Sequence, residues 1–467
     1  MSNKISTSFA KIGIIYTLSN FIIKGMAFLT TPIFTRLMNQ SEYGEFSSIA
    51  SWANIISIIV TLSLYSSISR AKYDYNECIN EYMSSITALG SLVTIFFWIF
   101  IELNINTFVR IFEMKPIYIR SIMLYSVFSP AVQTLIAKYR MYNEYKKVVI
   151  LTWVSLLSST FASLILTYCM EDKLQGRVLG TYVVVAVVDI VFWLLILIQG
   201  KKFSLKMCYY ACAMSLPLLI HELSGVLLNS SDRIIIKQLC GAKDVALYSI
   251  AYTIAMIITV LLSSLNQAWV PWFFDKLDQK KLSEIKDVAN KYTLLFSLGC
   301  IGLMLVGPEL IMIFGGKDYI SAKYVIPPVC LAVEMQFIYT LYVNIEFFLK
   351  KTMYISVATA LATAINIILN YLLIPHGGYV VAAYTTVAGY LAALIFHSYV
   401  CHKTEYKHLF DEKRILKYML FCIISMFSVL FLYHLNYIRY MILTVLTIIF
   451  IIVMIRNKWK IKQILNK

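Results

Sequence analysis

The sequence predicts an all-α integral membrane protein of about 14 transmembrane helices, with both termini on the cytoplasmic side. Three observations predict it. Of 467 residues, 60% are hydrophobic and only 14% charged, where a soluble domain carries roughly 45–50% apolar and about 25% charged residues. The mean hydropathy is +0.73. The apolar residues fall in runs near the roughly 20 residues that cross a bilayer as a helix, without the short alternating segments of a barrel. This composition excludes a soluble multidomain enzyme, a disordered chain and a nucleic-acid-binding module. The net charge of +16 is therefore a signal of topology and of no nucleic-acid partner.

The expected spans are about 12–34, 45–68, 84–103, 118–137, 148–169, 178–199, 209–231, 245–268, 292–314, 324–349, 353–374, 379–400, 415–435 and 439–455. Lys4 and Lys11 precede the first apolar run, and no small-residue cleavage site follows it. It is expected to be a span, not a cleaved signal peptide. With the N-terminus inside, the inside segments hold 28 of the 41 Lys and Arg, the outside loops hold 12, and Lys24 lies within a span. That asymmetry predicts N-in and C-in with an even span count. The outside loops are too short for an external catalytic domain. The inside loop 275–291 puts Leu277, Ile285 and Val288 on one helical side and is expected to lie along the headgroups.

An internal repeat is visible. Gly176 and Gly378 are 202 residues apart, and at that offset Val178 matches Val380 and Gly180 matches Ala382. Ser48-Ile49-Ala50 recurs as Ser249-Ile250-Ala251, and Glu144 with Lys146-Lys147 resembles Glu346 with Lys350-Lys351. A shift of six spans gives two parallel halves, the arrangement of transporters with a site at the repeat interface. The expected organisation is two six-helix lobes, 1–200 and 201–402, followed by two extra helices with a basic tail, 403–467.

Polar residues inside apolar spans are expensive and mark candidate sites. Gly13, Thr17, Asn20, Lys24 and Thr31 fall within about 60° on a helical wheel of span 1. Ser215, Glu222, Gly225, Asn229 and Arg233 form a stripe about 80° wide on span 7, the repeat partner of span 1. Asp189 lies near the centre of span 6 and Glu334 within span 10. Thr352, Thr359, Thr363, Asn366 and Asn370 share one side of span 11, where hydrogen bonds between helices are the competing explanation. For Lys24 and Glu222 the structural alternative is a mutual ion pair; for Arg36, Arg70 and Arg233, near span ends, it is headgroup anchoring. Nine scattered cysteines form no C-x-x-C and six histidines no H-E-x-x-H, so neither a zinc site nor a disulfide framework is expected. Gly315-Gly316-Lys317-Asp318 lacks the spacing and the hydroxyl of a phosphate loop. No cofactor is expected.

Three stretches carry a family resemblance. They are Thr31-Pro32-Ile33-Phe34-Thr35-Arg36-Leu37 with Ser41-Glu42-Tyr43-Gly44, Ser231-Asp232-Arg233 with Gly241 and Ala246-Leu247-Tyr248-Ser249, and Leu369-Asn370-Tyr371-Leu372-Leu373-Ile374-Pro375 with Gly377-Gly378 and Ala382-Ala383. Over roughly residues 10 to 400 the chain resembles bacterial polysaccharide-export flippases of the multidrug/oligosaccharidyl-lipid/polysaccharide superfamily. The resemblance implies a multi-pass protein of the bacterial plasma membrane whose lobes open alternately to each side. Its implied cargo is an oligosaccharide on a polyprenyl pyrophosphate carrier, with membrane lipids, polysaccharide polymerase and glycosyltransferases as further partners. On that footing Lys24, Asn20, Thr31, Arg36, Arg70, Arg233 and Asn229 are the candidate substrate-binding residues, because a pyrophosphate needs cations or aligned donors in low-dielectric surroundings. Glu222, Asp189 and Glu334 are candidates for coupling to H⁺ or Na⁺. No enzymatic activity is expected. The alternatives are a cation-coupled multidrug exporter and, behind it, a membrane polysaccharide polymerase.

Overall fold

The computed structural model describes residues 25, 26 and 28–465. Helix α1 covers 28–37. It is followed by α2 (Gln40–Thr61), α3 (Ile68–Asp74), α4 (Ile79–Leu103), α5 (Ile105–Phe112), α6 (Pro116–Met141), α7 (Tyr145–Cys169), α8 (Lys173–Val178), α9 (Val184–Gly200) and α10 (Leu205–Cys240). Then come α11 (Ala242–Asp278), α12 (Leu282–Phe314), α13 (Ile326–Phe348), α14 (Met353–Gly377), α15 (Val381–His402), α16 (Glu412–Leu432) and α17 (Asn436–Leu465). Among the described residues there is no β-strand. Also among the described residues, eleven helices are long and apolar enough to cross a membrane, or twelve if the bent pair Gln40–Thr61 and Leu64–Asp74 is one span. Most of the expected first span lies outside the described residues. The chain divides into two compact units, one up to Ala246 and one from Leu247.

In the first unit α2 opens with a capping box. The Asn39 side chain accepts from the Glu42 N–H at 2.9 Å, and the Glu42 carboxylate accepts from the Asn39 N–H at 2.9 Å. The expected continuous span 45–68 is instead broken. Leu62 (φ 54°) and Ser63 (φ 46°) are both left-handed, and the chain turns by 56°. Neither residue is a glycine, so the break is conformationally costly. Another irregularity follows α8, where Leu179–Val183 forms one wide turn whose Leu179 carbonyl accepts from the Val184 N–H, five residues on.

Close approach through small residues holds these helices together, as membrane helices require. A Cβ on Gly180 would lie 2.3 Å from Ser163 Cα, and one on Gly176 would lie 2.4 Å from the Leu166 carbonyl oxygen. The repeat partner Gly378 serves another purpose, a left-handed turn at φ 69°. Gly44 on α2 abuts the start of α11, where a Cβ would lie 1.7 Å from the Ala242 carbonyl oxygen.

Helix α10 runs along α2 and α3 and is pinned at intervals. Tyr210 donates to Asp74 at 2.5 Å, Ser66 to Ser215 at 3.2 Å and Tyr65 to Glu222 at 3.2 Å. At its end Lys237 Nζ reaches Glu45 Oε1 at 2.8 Å and the Glu113 carbonyl at 2.5 Å. The sequence repeat assigns α10 to the second lobe, whereas its contacts group it with the first unit.

In the second unit Phe296 and Phe337 stack at 4.4 Å between α12 and α13. Helices α14 and α15 are joined by Asn366, which reaches Thr385 and Thr386 at 3.5 and 3.4 Å, and by Thr385, which donates to Asn370 at 2.5 Å. The polar face of span 11 therefore includes interhelical hydrogen bonds. Helices α16 and α17 pack on α12. Tyr433 donates to the Met304 carbonyl at 2.7 Å, and the buried Arg439 forks onto Glu309. The stretch 275–291 is largely exposed, but two of the three apolar residues expected on its headgroup side turn inward. It is the end of α11, a turn and the start of α12, and Leu277 and Ile285 are buried. The apolar face that suggested headgroup contact is used inside the unit.

Candidate functional site

The first unit contains a polar cavity of about 400 Å³. Its wall comes from α2 and the turn after it (Asn54, Ser57, Thr61, Ser63, Tyr65), from α6 (Tyr125, Ser129, Gln133), from the wide turn (Thr181, Tyr182) and from Val226 of α10. A second hollow of about 500 Å³ shares Asn54, Ile58, Tyr65 and Val226, and adds Glu222, Asn229 and Ser230. The break in α2 matters here. It brings Thr61, Ser63 and Tyr65, on both sides of the interruption, to one wall. Pro130 lies one turn before Gln133 within α6.

The described lining of the first hollow holds no charged side chain, and both hollows are rich in hydrogen-bonding groups. Three amides, six hydroxyls of Ser and Thr and three tyrosines line the two hollows, with Glu222 as the one carboxylate among the described lining residues. Glu222 accepts from Tyr65. Such a surface matches a ligand that offers many hydroxyls and flat apolar faces. It lacks, among its described lining residues, the cations that a phosphate needs.

The sequence-derived candidates scatter over several places. Lys24 and Asn20 lie outside the described residues. Thr31 is buried on α1. Arg36 donates to the Pro32 carbonyl at 2.6 Å, and Arg233 to the Asn229 carbonyl at 2.8 Å. Asn229 lines the wider hollow and donates to the Gly225 carbonyl at 2.7 Å. Arg70 forms an exposed pair with Asp74 at 3.1 Å. Asp189 is buried at 2% exposure and its Oδ1 has no hydrogen-bond partner. Glu334, in the second unit, accepts from Ser297 at 2.5 Å, with Cys300, Cys330 and Cys422 as electrostatic neighbours. Of the three carboxylates, only Glu222 lines the cavity.

Several site residues escaped the sequence reading. Asn54 and Gln133 are single amides inside apolar runs, and that polarity was the available signal. Arg177 was counted among outside-loop charges. The structure buries it, with its guanidinium carbon 3.8 Å from the ring centre of Phe46, 3.9 Å from Phe34 and 4.9 Å from Tyr43. On the loops, Lys115 pairs with Asp172 at 2.9 Å. Partial burial raises the Asp172 pKa, but the bonds from Lys115 and from the Gln175 N–H outweigh that and hold it below its ordinary value.

Among solved structures, the lipid II flippase MurJ in an inward closed conformation matches 96% of this chain and 100% of its own, with a TM-score of 0.73 and 15% identity. An inward-facing multidrug resistance transporter of the MATE family matches 80% of this chain and 97% of its own, with a TM-score of 0.58 and 13% identity. At such identities these matches establish the fold. A Haemophilus influenzae protein of the Lsg locus is 22% identical over 379 residues, covering 76% of this chain and 89% of the relative. The profile of the MatE family matches residues 217–372. With the apolar helices described above, this profile and the one that follows make the chain a multi-pass membrane transporter of the multidrug/oligosaccharidyl-lipid/polysaccharide superfamily. Within it, the profile of the Polysaccharide biosynthesis protein family matches residues 9–276, more than half of the sequence, and the chain belongs to that family.

Proposed function

We propose that this chain is a flippase that moves an oligosaccharide on a polyprenyl pyrophosphate carrier across the bacterial plasma membrane by alternating access. The observation that carries the reading is the cavity lining of amides, hydroxyls and tyrosines, which suits the saccharide part of such a cargo. The pyrophosphate then needs its own cation, and Lys24, with Asn20 and Thr31 on its stripe, is the proposed partner. Glu222, Asp189 and Glu334 are the proposed carboxylates for H⁺ or Na⁺ coupling. Polysaccharide polymerase and glycosyltransferases are the proposed neighbours in the same process.

The test is a complementation assay in cells that depend on this chain for surface polysaccharide. Lys24→Ala should abolish export with protein level and membrane insertion intact, and Lys24→Arg should retain part of it. If Lys24 only neutralised Glu222, Lys24→Ala combined with Glu222→Gln would restore export. Recovery in that double variant rejects the binding role.

A second reading, a cation-coupled exporter of small molecules, is favoured by one observation: the charged group among the described lining residues is a carboxylate. Export of an organic cation that depends on Glu222, with unaltered lipid-linked intermediates in a deletion strain, would support it over the flippase.

A further inference from the structure

An open groove of about 370 Å³ lies on the outer surface of the first unit, between α4 and α6. Its floor is Ile95, Trp98 and Ile99, spaced along one face of α4. Its rim is a charged pair, Glu102 in the last turn of α4 and Arg120 in the second turn of α6. The apolar floor therefore runs from the charged rim toward the middle of the helix. Ile95 is 40% and Ile99 56% exposed, so the described protein leaves the floor uncovered.

The pair has spare bonding capacity on both members. Arg120 Nε reaches the two Glu102 oxygens at 3.2 and 3.1 Å, and Nη2 also bonds Oε1. Nη1 takes no part in the bonds of the pair and adds donor capacity to the rim. Glu102 Oε2 accepts one of these bonds and keeps a free lone-pair site. The rim carries one cation and one anion among the described lining residues, Arg120 and Glu102, and so no net charge. A rim without net charge gives an anionic headgroup no advantage, unlike the basic clusters that recruit acidic lipids. What it matches is a headgroup that is itself a dipole, a phosphate for Arg120 and a primary ammonium for Glu102, above acyl chains for the isoleucine and tryptophan floor.

We propose that this groove is a binding site for one zwitterionic phospholipid with a primary amine, phosphatidylethanolamine in chemical class. The site lies apart from the cavity and does not depend on the transport reading.

The test uses the full chain purified in mild detergent, stripped of lipid, and titrated with phosphatidylethanolamine, phosphatidylglycerol or phosphatidylcholine of identical acyl chains. Bound lipid is counted by native mass spectrometry. One tightly held phosphatidylethanolamine is expected, preferred over phosphatidylglycerol by about fivefold, the scale of one exposed ionic contact. Phosphatidylcholine, whose quaternary ammonium cannot donate a hydrogen bond, should bind more weakly than phosphatidylethanolamine. Glu102→Gln should erase the preference for the amine, and Trp98→Ala should weaken all three lipids together. Equal binding of the three lipids by the unmodified protein, a preference for phosphatidylglycerol, or a preference that survives Glu102→Gln would overturn the proposal. The comparison of lipids on the unmodified chain decides it even if the variants fail to fold.

Discussion

Gly44 offers a sharp test of how the first unit is packed. Replacing it with alanine adds one Cβ, which would sit 1.7 Å from the Ala242 carbonyl oxygen, 2.7 Å from its carbon and 2.9 Å from the Ala246 nitrogen. All three are backbone atoms, so no side chain can swing aside. Restoring ordinary contact near 3.4 Å requires the two segments to part by about 1.7 Å. One residue along, Lys237 holds Glu45 at 2.8 Å with its side chain only 9% exposed. The same displacement would carry that pair to about 4.5 Å, out of direct contact. Overpacking of this kind costs about 1–3 kcal/mol, and weakening a largely buried ion pair adds to it. Gly302, with nothing within 4 Å of its Cβ position, is the control: the same substitution there should be neutral or stabilising by up to about 1 kcal/mol through helix propensity. The assay is thermal unfolding of both variants in one detergent. Gly44→Ala should unfold well below the unmodified chain and Gly302→Ala at or above it. Equal midpoints for the two variants would refute the packing argument.

Three further outcomes are expected. Arg177→Lys should lower the unfolding temperature by the equivalent of about 2 kcal/mol, because an ammonium cannot stack on both Phe34 and Phe46 as a planar guanidinium does; an unchanged midpoint would count against the cage. The Lys115–Asp172 contact should make stability pH-dependent: with Asp172 held below its ordinary pKa, the stabilisation is present above about pH 4 and is lost as the pH falls through the lowered folded value. Asp172→Asn should remove that part of the acid dependence, as followed by unfolding at stepped pH. In a background without the native cysteines, a cysteine at position 280 should resist an impermeant label on intact cells and one at position 376 should accept it. Equal labelling would reverse the orientation drawn from the basic residues.

The helical membrane architecture was legible because apolar run length and the distribution of Lys and Arg report directly on burial in a bilayer. The break at Leu62 and Ser63 was not, because no glycine or proline marks it and both residues are ordinary in a helix. The burial of Arg177 was hidden for a related reason. A basic residue beside a span end usually anchors at the interface, and only the tertiary arrangement brings Phe34, Tyr43 and Phe46 around it. Of the stripe on α10, Glu222 and Asn229 line the wider hollow. Its partners across the cavity, Asn54 and Gln133, belong to weaker stripes, with Ser57 and Thr61 on α2 and with Tyr125 and Ser129 on α6, and hydroxyl-rich stripes look the same when they only join helices. Leu277 and Ile285 misled because an amphipathic face looks the same whether it meets lipid headgroups or a neighbouring helix.

The wide turn at Leu179–Val183 has a consequence for numbering along the span it interrupts. Each residue of an α-helix advances the azimuth by about 100°, so one extra residue accommodated in a single turn rotates everything downstream by about that amount relative to everything upstream. Arg177 and Asp189 therefore do not share the angular relation that a regular wheel assigns to them. A relative that lacked one residue between positions 179 and 183 and closed a regular turn there would keep both the length of the span and its phase, because each downstream residue would occupy the azimuth of its counterpart here. The counterpart of Asp189 would still face the interior where the carboxylate is buried, whereas a residue lost from the regular helix between the turn and Asp189 would swing it by more than a quarter of a circle. Alignments that move such a gap out of this turn pair residues that present different faces.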